Sequence, residues 1–140
     1  MALASSARAS TSSAGKKRPV AFDSSFLLAV MEHPTTWSDD IVDKLGAFTP
    51  VVLASVRDEL ARLAARADKR GRFAALALRL LDDGTFTLVP DGKGRPDDEI
   101  ISYALRDGAA VATIDSELEE RLRASRVGTV ITLRGGRVHV

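Results

Sequence analysis

The chain has 140 residues, of which 45% are hydrophobic and 28% charged, with a formal net charge of +1. That length fits one domain with a core of its own. The absence of cysteine excludes a disulfide framework, a thiolate metal site and a cysteine nucleophile, and His33 and His139 are too few for a histidine-rich metal site. No apolar run approaches the ~18–20 residues that span a bilayer, so the sequence reads as cytoplasmic with no membrane partner. Chemistry must come mainly from carboxylates, hydroxyls, lysines and arginines.

Residues 1–18 (MALASSARASTSSAGKKR) are small and polar, and they read as a disordered basic tail that lacks the apolar surface to offset its ordering entropy. The tail has no apolar segment of the kind a secretory signal needs. Its Lys16-Lys17-Arg18 cluster is suited to nucleic acid, although a solvated leader accounts for it more simply. Residues 1–22 contain four bases and no acid, so the rest of the chain holds all 19 acids against 16 of the 20 bases. The body is therefore mildly acidic behind a basic leader.

Residues 19–140 read as a single domain. Pro19 to Phe22 is a buried strand, and Asp23-Ser24-Ser25 offers cap residues for a helix through Met31, which Pro34 stops. A second helix runs from Trp37 to Leu45 and closes at Gly46. Val51 to Leu53 is a strand, followed by a helix over 54–67 with Val56, Leu60 and Leu63 on one face. Residues 68–71 break it, a further helix covers 72–81, and 85–89 is a strand. After a loop at 90–96, Pro96 suits the first turn of a helix closed by Gly108. Residues 109–113 form a strand, 116–125 a charged helix, 128–133 a strand, and 137–140 a candidate edge strand behind Gly135-Gly136.

Strands alternate with helices throughout. This predicts an α/β fold, a three-layer α/β/α sandwich around a mainly parallel sheet of about five strands. Ligands of such sheets bind beyond the carboxyl ends of the strands. Acids fall there repeatedly. Asp23 follows the first strand, Asp115 follows the strand 109–113, Asp97 and Asp98 open the helix after residue 96, and Glu59 lies on the helix after the second strand. Each has a plain structural role available. Asp23 and Asp115 suit helix caps, Asp97 and Asp98 complement a helix N-terminus, and Glu59 or Asp58 is placed to pair with Arg62. The recurrence at one end of the sheet, with no lysine nearby, favours a shared site. Two carboxylates ~4 Å apart repel by about 4 kcal/mol at an effective dielectric of 20, so a converging cluster calls for a cation. Oxygen ligands suit Mg²⁺ or Mn²⁺, which can activate water and stabilise the oxygens of a phosphodiester.

The runs VAFDSSFLL, VVLASVRDELARLA and RPDDEIISYALRDGAAVATID resemble, in order, the motifs of PIN (PilT N-terminal) domains, over about residues 19–134. That resemblance implies the sandwich fold and a metal-dependent ribonuclease with an acidic cluster. It places Asp23, Glu59, Asp98 and Asp115 as catalytic and metal-binding acids, with Asp97 competing for the third position. Ser24 and Thr113 match supporting hydroxyl residues, and Glu117 is a further supporting acid. Ser25 stands where many relatives carry Asn. Within the family the chain resembles the stand-alone, ribosomal-RNA-processing branch more than a toxin of the VapC type.

RNA is the expected substrate, with Arg62 and Arg66, on the helical face of Glu59, as contacts, because guanidinium suits phosphate. Trp37 and Tyr103 suit core packing better than base stacking. The resemblance also implies a homodimer and a protein partner, an antitoxin or a processing complex. A non-cleaving nucleic-acid-binding or scaffold module is the alternative. A phosphoacceptor receiver domain fits poorly, since the first strand ends in one acid and no lysine follows the last main strand.

Overall fold

The computed structural model describes residues 17–90 and 94–140. The expected tail, apart from its last two residues, and the centre of the 90–96 loop lie outside the described residues. Six strands and six helices follow one another as β1 (Arg18–Phe22), α1 (Ser24–Glu32), α2 (Trp37–Leu45), β2 (Phe48–Leu53), α3 (Ala54–Ala64), α4 (Lys69–Asp82), β3 (Thr87–Val89), α5 (Pro96–Asp107), β4 (Ala110–Ala112), α6 (Ser116–Ala124), β5 (Val130–Arg134) and β6 (Arg137–His139). The sheet has the order β3-β2-β1-β4-β5-β6. All pairings are parallel except β5 with β6, an antiparallel hairpin. The fold is the expected α/β sandwich, with the candidate edge strand present as the sixth strand.

From β1 the chain moves outward to β2 and β3, then returns to the other side of β1 to lay down β4 and β5. The crossovers leaving β1 and β4 therefore diverge, and the crevice between them is the topological switch point of the sheet. Parallel strands buried on both faces read as continuous apolar runs. Val20, Ala21 and Phe22 of β1, Val51 to Leu53 of β2 and the whole of β4 are buried accordingly. Phe22 anchors an aromatic cluster, with ring centroids 5.4 Å from Phe26, 5.3 Å from Trp37 and 5.3 Å from Phe86. Trp37 thus packs in the core, and Tyr103 is buried as well.

Several ends differ from the sequence reading, α3 stopping at Ala64 and β3 starting at Thr87, and two of the differences have a clear local cause. Strand β2 begins at Phe48 and runs through Pro50. Pro50 pairs with Val20, while β3 reaches β2 only from Val51. The proline falls where β2 has a neighbour on one side only, where a sheet tolerates a residue without an N–H. Helix α4 starts at Lys69, three residues ahead of the expected boundary, because Asp68 caps it by accepting from the Gly71 N–H at 3.0 Å. Gly71 is no breaker. A Cβ there would collide with the Arg66 carbonyl, so glycine permits the tight turn from α3 into α4. Among the described residues no helix is long and apolar enough to cross a membrane.

Candidate functional site

Asp23 sits at the end of β1, and its backbone N–H donates to the Ala112 carbonyl at 2.9 Å, extending the β1–β4 ladder by one step. It is 4% exposed. It occupies the N-cap position of α1, yet its side chain caps nothing. Instead Oδ2 accepts from Ser25 Oγ at 2.5 Å and from Thr113 Oγ1 at 2.9 Å. Both hydroxyl protons are directed at this one carboxylate oxygen. The lone pairs left over bind the loop after β4. Ser25 Oγ accepts from the Ile114 N–H at 3.1 Å, and Thr113 Oγ1 accepts from the Asp115 N–H at 3.0 Å. Two hydroxyls, one from each side of the switch point, thereby join the first acid to the strand end that carries the fourth.

Asp115 is the N-cap of α6, its Oδ1 accepting from the Glu117 N–H at 2.9 Å and the Leu118 N–H at 3.2 Å. The cap role expected as its plain reading is real, and it also fixes the direction of the side chain. Glu59, on α3, accepts from Ser24 Oγ at 2.8 Å. Ser24 is buried, so the residue next to the first acid holds the second. Neither Glu59 nor Asp58 has an ion pair with Arg62 among the described residues.

The opening of α5 separates its two candidates. Asp98 is exposed and pairs with Arg121 of α6 at 2.6 Å. Asp97 is half-buried, and its carboxyl is held above the ordinary aspartate range, first by burial, then by the charges of Asp23 and Asp115, with Glu59 adding to them and Arg121 opposing. Asp97 is thus the α5 acid that feels the other three, and Asp98 faces a base. The signal was present in the sequence. Asp97 lies three and four residues before Ile100 and Ile101 and seven before Ala104, on the buried face of the helix.

Arg121 is a base the sequence reading did not place beside the acids. The Asp98 hydrogen bond raises its pKa further, and the charges of Asp98, Asp97 and Glu117 reinforce this. Glu117 itself is exposed on the first turn of α6. Arg66 lies beyond the end of α3 and pairs with Asp68 through Nε at 3.0 Å, so it does not share the helical face of Glu59. Arg62 is exposed in the last turn of α3.

The donors available at the site are carboxylate and hydroxyl oxygens, the set that hard divalent cations prefer over imidazole or thiolate. Among the described residues no three carboxylates or imidazoles converge as closely as a coordination shell requires. Asp97 is linked to Asp23, Asp115 and Glu59 by charge rather than by contact.

A family model described as a PIN-like domain matches residues 20–136, from β1 to the β5–β6 turn. Among solved structures the chain is similar to that of the PIN domain endonuclease Utp24, with a TM-score of 0.71 and 22% identity over 86% of this chain and 88% of that one. It is also similar to a domain of a functionally unknown protein from Methanocaldococcus jannaschii DSM 2661, with a TM-score of 0.61 and 15% identity over 88% and 96% of the two chains. No curated protein matches the chain. With the family model spanning residues 20–136 of the 140, the chain belongs to the PIN-like domain family.

Proposed function

We propose that the protein is a divalent-metal-dependent endoribonuclease whose site is formed by Asp23, Glu59, Asp97 and Asp115. The observation that carries this is the hydroxyl network in which Ser25 and Thr113 tie Asp23 to the strand end bearing Asp115, while Ser24 holds Glu59. Asp97 joins this group through charge, its proton affinity raised by burial and then by Asp23, Asp115 and Glu59. Such a charge cluster is the arrangement a Mg²⁺ or Mn²⁺ ion relieves. Once bound, the ion would polarise a phosphodiester and lower the pKa of a bound water. Asp23, Asp97 and Asp115 are the residues to hold it, with Glu59 beside them.

The chain's own residues supply the rest. Ser25 and Thr113 hold Asp23, Ser24 holds Glu59, and helix capping holds Asp115. Among the described residues Asp23 is bonded only through Oδ2, Glu59 through Oε1 and Asp115 through Oδ1, which leaves the second oxygen of each for a cation. Arg121, at the rim beside Asp98, is placed to meet a phosphate. Membership of the PIN-like family supports RNA as the substrate. The solved relative named as an endonuclease supports internal cleavage.

The test is incubation of single-stranded and structured RNA with the full chain, with and without Mn²⁺, beside Asp23→Asn. Cleavage that needs Mn²⁺ and disappears in the variant is the expected result. Mn²⁺ at ~100 times its dissociation constant should also stabilise the parent by about 2.7 kcal/mol. Equal cleavage by parent and variant overturns the assignment. RNA binding without turnover in Mn²⁺ would identify a non-cleaving binding module instead.

A further inference from the structure

Positive charge is unevenly spread over the domain. Residues 62–79 hold six bases, Arg62, Arg66, Lys69, Arg70, Arg72 and Arg79, against a single acid, Asp68. The rest of residues 19–140 holds 18 acids against 10 bases. A domain with an excess of acid therefore gathers its bases on one helical pair, α3 and α4. All six are exposed. Arg66 is paired with Asp68, and Lys69 with Glu32 at 3.7 Å. Arg62, Arg70, Arg72 and Arg79 have no ion pair among the described residues. Helix stability does not account for the group. Lys69, Arg70 and Arg72 fall in the first four residues of α4, which hold no acid, although the macrodipole favours negative charge there.

The fold joins three of these arginines into a stripe. Gly71 lets α4 start against the end of α3, since a Cβ there would lie 2.1 Å from the Arg66 carbonyl oxygen and 3.0 Å from that of Leu63. Arg72 and Arg62, each one residue from that contact, are thereby held at one corner. The buried face of α4 carries Gly71, Ala74, Ala77 and Leu81. Arg72 and Arg79 lie roughly 140–160° around the axis from Ala74, on the side turned to solvent. They are two turns and about 10 Å apart, in line along the helix. The stripe also has a direction. Asp82, at the end of α4, bonds to Arg57 at 3.2 Å, near the start of α3, which directly follows β2. Arg79, one turn before Asp82, is therefore the end of the stripe nearer the carboxyl ends of the strands, where the acids stand.

Exposed guanidinium groups without a carboxylate of their own attract a polyanion, and the planar fork suits phosphate. Phe73, the one aromatic residue of the segment, is half-buried with the Lys69 ammonium 5.8 Å from its ring centroid. The stripe thus offers charge without a stacking ring, which suits the sugar-phosphate backbone and not the bases. An acidic protein carries the same sign of charge, but phosphates recur at intervals along a line, as these arginines do. The geometry points to a dock on the outer face of α4 and the end of α3, where Arg79, Arg72 and Arg62 hold the phosphates of RNA that flanks the cleavage site. This dock rests on the RNA reading of the acid site. It adds that the substrate is gripped outside the crevice by contacts that do not depend on its sequence.

The test compares the full chain with a dock variant, Arg62→Gln with Arg72→Gln and Arg79→Gln, and with a control of equal charge, Lys44→Gln with Arg106→Gln and Arg126→Gln. Binding of a labelled single-stranded RNA is followed by anisotropy in EDTA, so that the RNA stays intact, from about 50 to 200 mM salt. Three phosphate contacts to a single strand add about 2 to the slope of log affinity against log salt. Over that range the parent should therefore lose roughly 20-fold more affinity than the dock variant. The control should keep the parent's slope. Glutamine is a good helix former at exposed positions, so the Tm of the dock variant should fall by no more than ~2 °C. In Mn²⁺ the dock variant should raise KM and leave kcat unchanged, because these contacts are the same before and in the transition state. A dock variant with the parent's slope, or a control that loses as much slope, overturns the dock. If the parent still cuts RNA in Mn²⁺ with that outcome, the dock fails alone. A slope that depends on the three arginines, without cleavage in Mn²⁺, upholds the dock and removes the nuclease. Polyglutamate that binds as tightly as RNA at equal charge, through the same arginines, gives the surface to an acidic protein and overturns the RNA assignment. Absence of RNA binding removes both.

Discussion

Thr113→Val is the sharpest test of how the acids are held. Thr113 is fully buried, and its hydroxyl links two acids, donating to Asp23 Oδ2 at 2.9 Å and accepting from the Asp115 N–H at 3.0 Å. Valine keeps the shape and removes both bonds, together with the 3.2 Å contact between the Thr113 and Ser25 hydroxyls. A hydrogen bond to a charged acceptor contributes about 1.5–3 kcal/mol, and a neutral one about 0.5–1.5 kcal/mol. The added methyl returns at most about 0.8 kcal/mol. The net loss is about 2–3 kcal/mol, or roughly 5–10 °C in Tm for a domain of this size. Asp23 also keeps only Ser25 as a donor while remaining buried, so its carboxylate loses its fixed direction. Loss of a residue that orients a ligating carboxylate typically costs about 10–100-fold in metal affinity or activity. Thermal unfolding followed by circular dichroism reads the first effect, and RNA cleavage in Mn²⁺ the second. Thr113→Ser restores the hydroxyl and should recover most of both. A Tm within ~2 °C of the parent together with unchanged cleavage would refute the view that this hydroxyl organises the site.

Other variants separate charge from architecture. For Asp97, burial and neighbouring acids raise the folded-state pKa above the unfolded one. Its contribution to stability is therefore fully present in acid, below the unfolded pKa, and is lost as pH rises through the folded value. Asp97→Asn should flatten that decline in the metal-free protein and raise its Tm at neutral pH, while abolishing metal-dependent cleavage; a lower Tm in EDTA would contradict the coupling. Asp98→Asn, which loses an exposed pair with Arg121, should change cleavage by less than about 5-fold, and total loss of activity would restore Asp98 as the third acid. Asp40 is buried on α2 and accepts from Thr36 Oγ1 at 3.2 Å and from the Val138 N–H at 3.4 Å, with Arg137 Nε at 3.4 Å. Asp40→Ala should cost about 2–4 kcal/mol by urea titration, with cleavage below the melting range unaffected.

The sheet was legible because its strands are buried on both faces. Val20-Ala21-Phe22 and Val51-Val52-Leu53 are uninterrupted apolar runs, and an acid at such a strand end is conspicuous. Elements that depend on a single local bond were harder to read. Asp68 and Gly71 look like a break, and only the cap bond between them turns that segment into the first turn of α4. Pro50 argues against a strand until the short reach of β3 is known. The choice between Asp97 and Asp98 was harder still, since they differ by about 100° around the axis of α5. Which one faces the crevice depends on how the helix rolls onto the sheet. Arg121 meets Asp98 only through the fold, by a side-chain bond between residues 23 apart in the chain.

The way the acids are held bears on what they can bind. Asp23 and Glu59 are oriented by the hydroxyls of Ser24, Ser25 and Thr113, and Asp115 by backbone N–H groups. These donors are neutral. They fix direction and leave the negative charge of each carboxylate in place. A lysine or arginine in the same positions would satisfy the same oxygens and cancel the field that attracts a cation. The base that does approach, Arg121, bonds to Asp98, which lies on the exposed side of α5. Asp98 thus takes the hydrogen bond of that base, and although its charge opposes the acids at Asp97, burial, Asp23 and Asp115 outweigh it and the proton affinity of Asp97 still rises. The uncancelled repulsion lowers the stability of the metal-free protein, and the buried core of β1, β2 and β4 tolerates it.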